Sequence, residues 1–174
     1  REGARVVIAA RTPERLGRVA KMITGHGGQC LPVPTDVSNQ HQVEHLVQQT
    51  IKKFGRIDIL LNNAGILTPP TPLSDLDEAE WDRVFDVNLK GIYRTVCSVW
   101  PVMEKQGQGV IINTASVVAF KGSAGLAAYC SSKAAGVMLT RVLALEGAPL
   151  RICVNCVCPG FIDTPWFTKG VGAQ

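Results

Sequence analysis

The sequence lacks the features that would take it out of the class of ordinary globular enzymes. No apolar run approaches the roughly 18 residues a membrane span needs. No charged-then-apolar leader precedes the first strand-like run, so neither a membrane nor a secreted protein is expected. Lys and Arg never form a block. With 18 basic and 14 acidic residues and a net charge of +4, nucleic-acid binding is not expected either. Repeats, linkers and low-complexity tracts are absent, and 46% hydrophobic with 18% charged residues excludes disorder and a collagen-like chain. An initial Met is also lacking: Arg1-Glu2-Gly3-Ala4 leads straight into the apolar run Arg5–Ala10, and the expectation is a piece of a longer protein. The 174 residues suit a single domain.

Two patterns invite a metal and neither sustains it. Cys153-x-x-Cys156-x-Cys158 lies in a strand-like run, where alternation puts Cys153 opposite Cys156 and Cys158. Small buried hydrophobes are expected there instead. Six cysteines without a leader suit reduced thiols in the cytoplasm. His41-Gln42-Val43-Glu44-His45 matches an H-x-x-E-H pattern. On a helix, however, Val43, Leu46, Val47, Thr50, Ile51 and Phe54 share the inner face and both histidines point to solvent. No metal site is expected.

Short apolar runs alternate with helical periodicity throughout. Strands are predicted over 5–10, 29–33, 57–61, 109–113 and 151–157, and helices over 13–24, 39–53, 78–106 and 127–147. Pro13 suits a first helical position behind Thr12, and Ser38 is the expected N-cap of the next helix. The long third helix is expected to break near Val87-Asn88. The strands read as apolar on both faces, the mark of a parallel sheet covered by helices on each side. The expected architecture is α/β: a single Rossmann-like domain with a doubly wound parallel sheet in three α/β/α layers. Ligands of such sheets sit beyond the carboxyl ends of the strands. Those ends here are Arg11, Asp36-Val37, Asn62-Asn63-Ala64-Gly65, Thr114-Ala115-Ser116 and Pro159-Gly160.

Tyr129 and Lys133 stand one helical turn apart and share a face. A phenol with a pKa near 10 is a poor proton shuttle at neutral pH. A neighbouring ammonium is expected to lower that pKa and make Tyr129 a usable acid and base. Ser116, 13 residues earlier at a strand end, can donate to the same reacting oxygen.

Together Asn62-Asn63-Ala64-Gly65, Asn88-Leu89-Lys90-Gly91, Ser116, Tyr129-x-x-x-Lys133 and Pro159-Gly160-x-Ile162-x-Thr164 resemble, in order and spacing, the classical short-chain dehydrogenase/reductase family. Its oxoacyl-carrier-protein reductases and sugar or secondary-alcohol dehydrogenases are nearest in character. The resemblance implies interconversion of a small carbonyl compound and a secondary alcohol, with Tyr129 as acid/base, Ser116 beside it, and Tyr129 and Lys133 also in the cofactor site, Lys133 on the nicotinamide ribose. Asn88 would interrupt its helix and hold a water that links Lys133 to solvent. Asp36 would accept from the adenine amino group with Val37 packed on the ring. Asn63, Ala64 and Gly65 would pass the adenosine ribose, while Pro159, Gly160, Ile162 and Thr164 would meet the nicotinamide end. NAD-selective members carry an Asp where Ala10 stands here. Arg11 follows, and a guanidinium suits a 2′-phosphate, so NADP(H) is favoured over NAD(H). Relatives pair helices corresponding to 92–106 and 127–147, and Val96, Val99, Trp100, Met103, Val137, Met138, Val142 and Leu143 look too many for one sheet face. A homotetramer or dimer is expected.

Departures accompany the resemblance. The family's first strand and its Gly-rich T-G-x-x-x-G-x-G turn are not in the sequence, nor are the C-terminal lid and last strand. Residues 1–174 are therefore expected to be a partial domain. Gly147 occupies a position where a larger apolar residue is usual, which is expected to weaken that helix end. The alternatives are a non-catalytic nucleotide-binding or interaction module, an inactive fragment of the enzyme, and an epimerase or dehydratase of the extended branch.

Overall fold

A computed structural model describes residues 3–163. Strand and helix alternate along the chain. In order they are β1 (Arg5–Ala10), α1 (Pro13–Gly25), β2 (Gln29–Pro34), α2 (Gln40–Phe54), β3 (Ile59–Asn62), α3 (Glu78–Asn88), α4 (Lys90–Gln106), β4 (Gly109–Thr114), α5 (Ala127–Gly147) and β5 (Ile152–Val157). All pairings are parallel, as connections through helices require. The architecture is the Rossmann-like α/β single domain expected from the alternation.

Local chemistry sets the boundaries. Pro13 opens α1, and Thr12 occupies the cap position without a side-chain hydrogen bond. The cap of α2 is Asn39 rather than Ser38: Asn39 Oδ1 accepts from the Gln42 N–H at 3.1 Å. Ser38 is taken instead by Asp36, whose Oδ1 accepts from its N–H and its hydroxyl at 2.9 and 2.6 Å. Gly55, at φ 77°, closes α2 in the left-handed region that a side chain disfavours. The break in the long helical run falls at Leu89, so α3 ends on Asn88 and α4 begins one residue later.

The core lies between β4, β5, α4 and α5, around Met103, Ile111, Ile152, Val96 and Val99. Burial holds best for β4, where Ile111 and Asn113 are fully enclosed on one face and Val110, Ile112 and Thr114 half-buried on the other. It fails at β1 and β3. The strands form two ladders, β1-β2 and β3-β4-β5, and among the described residues no ladder joins β1 to β3. Both are edge strands, and both border one cleft. Ile59 and Leu61 on β3 remain 65% and 59% exposed, which corrects the expectation of strands covered on each side.

Two further expectations change. Val96, Val99, Met103, Val137 and Leu143 are buried in the core, so one sheet face does accommodate most of the apolar residues of α4 and α5. Met138 and Val142 stay exposed, joined by Tyr93 and Leu145. Gly147 ends α5 where the missing side chain allows close approach. A Cβ there would stand 2.5 Å from the Ile152 carbonyl oxygen and 3.3 Å from the Trp100 ring. The thiols divide as alternation requires: Cys153 is exposed, Cys156 and Cys158 half-buried. Cys153 at the surface corrects the expectation of a buried small hydrophobe at that position.

Candidate active site

A cleft of about 1560 Å³ runs along the carboxyl ends of the strands and down between β1 and β3. Its lining includes Ser116, Tyr129 and Lys133 on one side and Arg11, Asp36 and Val37 on the other. Asn63, Ala64 and Gly65 lie between them, and Pro159, Gly160 and Ile162 border the same space. Thr164 falls outside the described residues.

The catalytic candidates meet because β4 and α5 aim them at one point. Ser116 follows β4 directly, and the Val117 N–H donates to the Pro159 carbonyl at 3.0 Å, which ties the end of β4 to the turn after β5. Tyr129 and Lys133 lie on the first two turns of α5 and are both buried. The Ser116 hydroxyl hydrogen-bonds the Tyr129 phenol. Lys133 Nζ lies 5.7 Å from the centre of the Tyr129 ring and donates to the Thr114 carbonyl at 2.8 Å.

Electrostatics there run opposite to the expected direction. Burial pushes the Tyr129 phenol above its ordinary pKa, and the Ser116 hydrogen bond offsets only part of that. Burial likewise pulls the Lys133 ammonium below its ordinary value, with the thiols of Cys156 and Cys158 acting the other way. The two side chains share a face as the spacing requires. Desolvation is the largest cause for each, which corrects the expectation of a phenol lowered by its neighbour.

Asn88 does something the sequence reading did not foresee. Its side chain is 1% exposed and pairs with the backbone of Ile66, accepting from the N–H at 2.8 Å and donating to the carbonyl at 3.0 Å. It also donates to Ser132 Oγ at 3.2 Å, and Ser132 in turn donates to the Tyr129 carbonyl at 2.8 Å. Asn88 thus pins the segment after β3 to the first turn of α5. Gly65 sits in that junction: a Cβ there would stand 3.4 Å from both Asn88 Oδ1 and Lys133 Nζ. Ser132 and the Thr114 carbonyl were missed. Ser132 was findable, as a hydroxyl on the buried face between Tyr129 and Lys133. A backbone carbonyl leaves no mark in sequence.

At the opposite end Asp36 is half-buried. Burial raises its carboxyl, but hydrogen bonds from Ser38 and the guanidinium groups of Arg11 and Arg94 together bring it below the ordinary value. The charge set suits a ligand bearing donors toward Asp36 and an anion toward Arg11. A small-residue passage at Ala64-Gly65 joins that end to Ser116, Tyr129 and Lys133, and the whole fits an extended dinucleotide with a reactive ring at the Tyr129 end. Among the described residues no group of three or more His, Cys, Asp or Glu could hold a metal, and His41 and His45 are exposed.

Comparison with known proteins agrees with this geometry. The short chain dehydrogenase family model matches residues 1–171. The chain is 40% identical over 168 residues to a 3-oxoacyl-acyl-carrier-protein reductase of Thermotoga maritima, covering 97% of this chain and 68% of that one. A crystal structure of a 3-ketoacyl-ACP reductase from Sinorhizobium meliloti superposes with a TM-score of 0.91 at 37% identity, covering 94% and 65%. That of an NAD+-bound xylitol dehydrogenase gives 0.91 at 31% identity, covering 99% and 69%. The chain spans about two thirds of the length of these relatives.

Proposed function

Because the chain belongs to the short-chain dehydrogenase family of oxidoreductases, we propose that it carries the active site of an NADP(H)-dependent enzyme interconverting a small carbonyl compound and a secondary alcohol. The observation that carries this reading is the convergence of Ser116, Tyr129 and Lys133 on one cleft. The nicotinamide cofactor supplies the hydride. Tyr129 delivers a proton to the carbonyl oxygen, or removes one from the hydroxyl in the reverse direction. Its raised pKa keeps the phenol protonated at neutral pH, which suits it as the acid in reduction. Ser116 donates to the same oxygen and steadies its growing charge. Lys133, held by the Thr114 carbonyl, orients the site and binds the nicotinamide ribose, while Asn88 keeps the Gly65 segment seated against α5.

Asp36 and Val37 receive the adenine, Asn63, Ala64 and Gly65 the adenosine ribose, and Pro159, Gly160, Ile162 and Thr164 the nicotinamide end. Arg11 beside Ala10 supports NADP(H) over NAD(H), since no carboxylate stands there to repel a 2′-phosphate. The facing edges of β1 and β3 support a further strand between them in the full-length protein, with a phosphate-binding turn at its end. Tyr93, Met138, Val142 and Leu145, exposed on α4 and α5, support a homodimer or homotetramer through these helices, to be checked by light scattering. Free thiols throughout suit the cytoplasm. The reading is tested by Tyr129→Phe in the full-length protein, which should lower kcat about a thousandfold. A variant retaining a tenth of wild-type turnover would refute the assignment and favour a binding module.

A further inference from the structure

We propose that Arg94 is a positioning residue for the adenine end of the cleft, setting dinucleotide affinity by clamping the Asp36-Val37 loop to the α3–α4 junction. This rests on the reading of that loop as the adenine site. Arg94 lies on the second turn of α4 and is only 16% exposed. Its Nη2 donates to Asp86 Oδ1 at 2.6 Å, and its Nη1 donates to the Asp86 carbonyl at 3.0 Å and the Val37 carbonyl at 3.4 Å. Asp86 sits on the last turn of α3, two residues before Asn88. One guanidinium therefore joins three pieces of backbone: the end of α3, the start of α4 and the loop after β2.

Packing makes the same connection independently. Val37 fills the notch left by Gly91 on α4, where a Cβ would stand 3.0 Å from Val37 Cγ2 and 3.3 Å from Val37 Cβ. Further bonds of the loop stay within its own half: the Thr35 N–H donates to the Ala10 carbonyl at 2.9 Å and the Asp36 N–H to Gln42 Oε1 at 2.7 Å. Arg94 and the Gly91 notch instead reach across to the element that carries Asn88. A planar fork serves acceptors in two directions, which an ammonium does less well. The positive charge also helps hold the Asp36 carboxyl ionised.

The test is the NADPH dissociation constant of the full-length protein, by fluorescence titration, in Arg94→Met, Asp36→Ala and the double variant. Arg94→Met should raise Kd about tenfold, the loss expected for charge-assisted hydrogen bonds. In the Asp36→Ala background the same change should cost no more than about twofold, because the clamp acts through the loop it holds. Arg94→Lys should recover part of the loss. A Kd within twofold of wild type for Arg94→Met would overturn the proposal. So would a tenfold loss in both backgrounds, which marks a general structural role. If Arg94→Met fails to fold by circular dichroism, Arg94→Lys and Gly91→Ala decide: both should weaken NADPH, and wild-type affinity in both overturns the clamp. A wild-type Kd for Asp36→Ala would instead overturn the adenine reading of the loop itself.

Discussion

The two ladders of this molecule are held in different ways. In the β3-β4-β5 half a chain of buried side chains runs across the face of the sheet that α4 and α5 cover. Thr95 on α4 donates to Asn62 Oδ1 at 2.7 Å, Asn62 donates to Asn113 Oδ1 at 2.9 Å, and Asn113 donates to Thr140 Oγ1 on α5 at 2.9 Å. All four residues are buried, so each bond forms where water cannot compete. The β1-β2 half rests on a main-chain ladder of six residue pairs. Of its cleft-facing groups Arg11 is exposed and Asp36 half-buried, and the Asp36 carboxyl is steered by Ser38, Arg11 and Arg94. Ser116, Tyr129 and Lys133 belong to the first half, the adenine-side residues to the second. Proton transfer needs atoms held to fractions of an ångström, whereas recognition of charge tolerates more play. The tighter construction lies where the chemistry requires it.

That comparison can be broken at its strongest point. Asn113→Leu should cost about 3 kcal/mol of stability, because Asn62 loses its acceptor and Thr140 its donor, both in the interior. Urea unfolding of the full-length protein checks this. A loss under about 0.5 kcal/mol, the range of ordinary surface substitutions, would show that the network contributes nothing.

A smaller effect sharpens the other side. Ala10→Asp with Arg11→Ile should move the ratio of kcat/KM for NADPH over NADH about tenfold or more toward NADH, through KM rather than kcat. A cofactor ratio unchanged by this pair would remove Arg11 from the adenosine end.

Much of this division was legible in sequence. Strand and helix alternation located every strand and α-helix, and α5 fell on the residues expected, with no proline inside it and Gly136 packed close to Ile92. Ser116, Tyr129 and Lys133 line one cleft as their spacing implied, and Asp36 lines it as the resemblance implied. The remainder depended on what folding alone creates. Asn88 pairs with a backbone that sequence does not place, and Lys133 donates to a carbonyl every residue possesses. Asn39 displaced Ser38 as a cap because Asp36 captured the serine first. The pKa directions followed burial, which the Tyr129–Lys133 spacing does not encode. The unpaired edges of β1 and β3 were legible from the resemblance, since the family's strand between them is not in the sequence.

The central claim is that proton transfer and recognition of the adenine end reside in separately held parts of one cleft. The most direct test is the NADPH dissociation constant of Tyr129→Phe in the full-length protein, set beside its turnover. The account predicts a Kd within about twofold of wild type, because the phenol oxygen moves a proton and Lys133, Gly65 and the Asp36 loop are left in place. A Kd weakened in proportion to the loss of kcat would contradict it, and would make Tyr129 part of the binding surface rather than the acid that acts beside it.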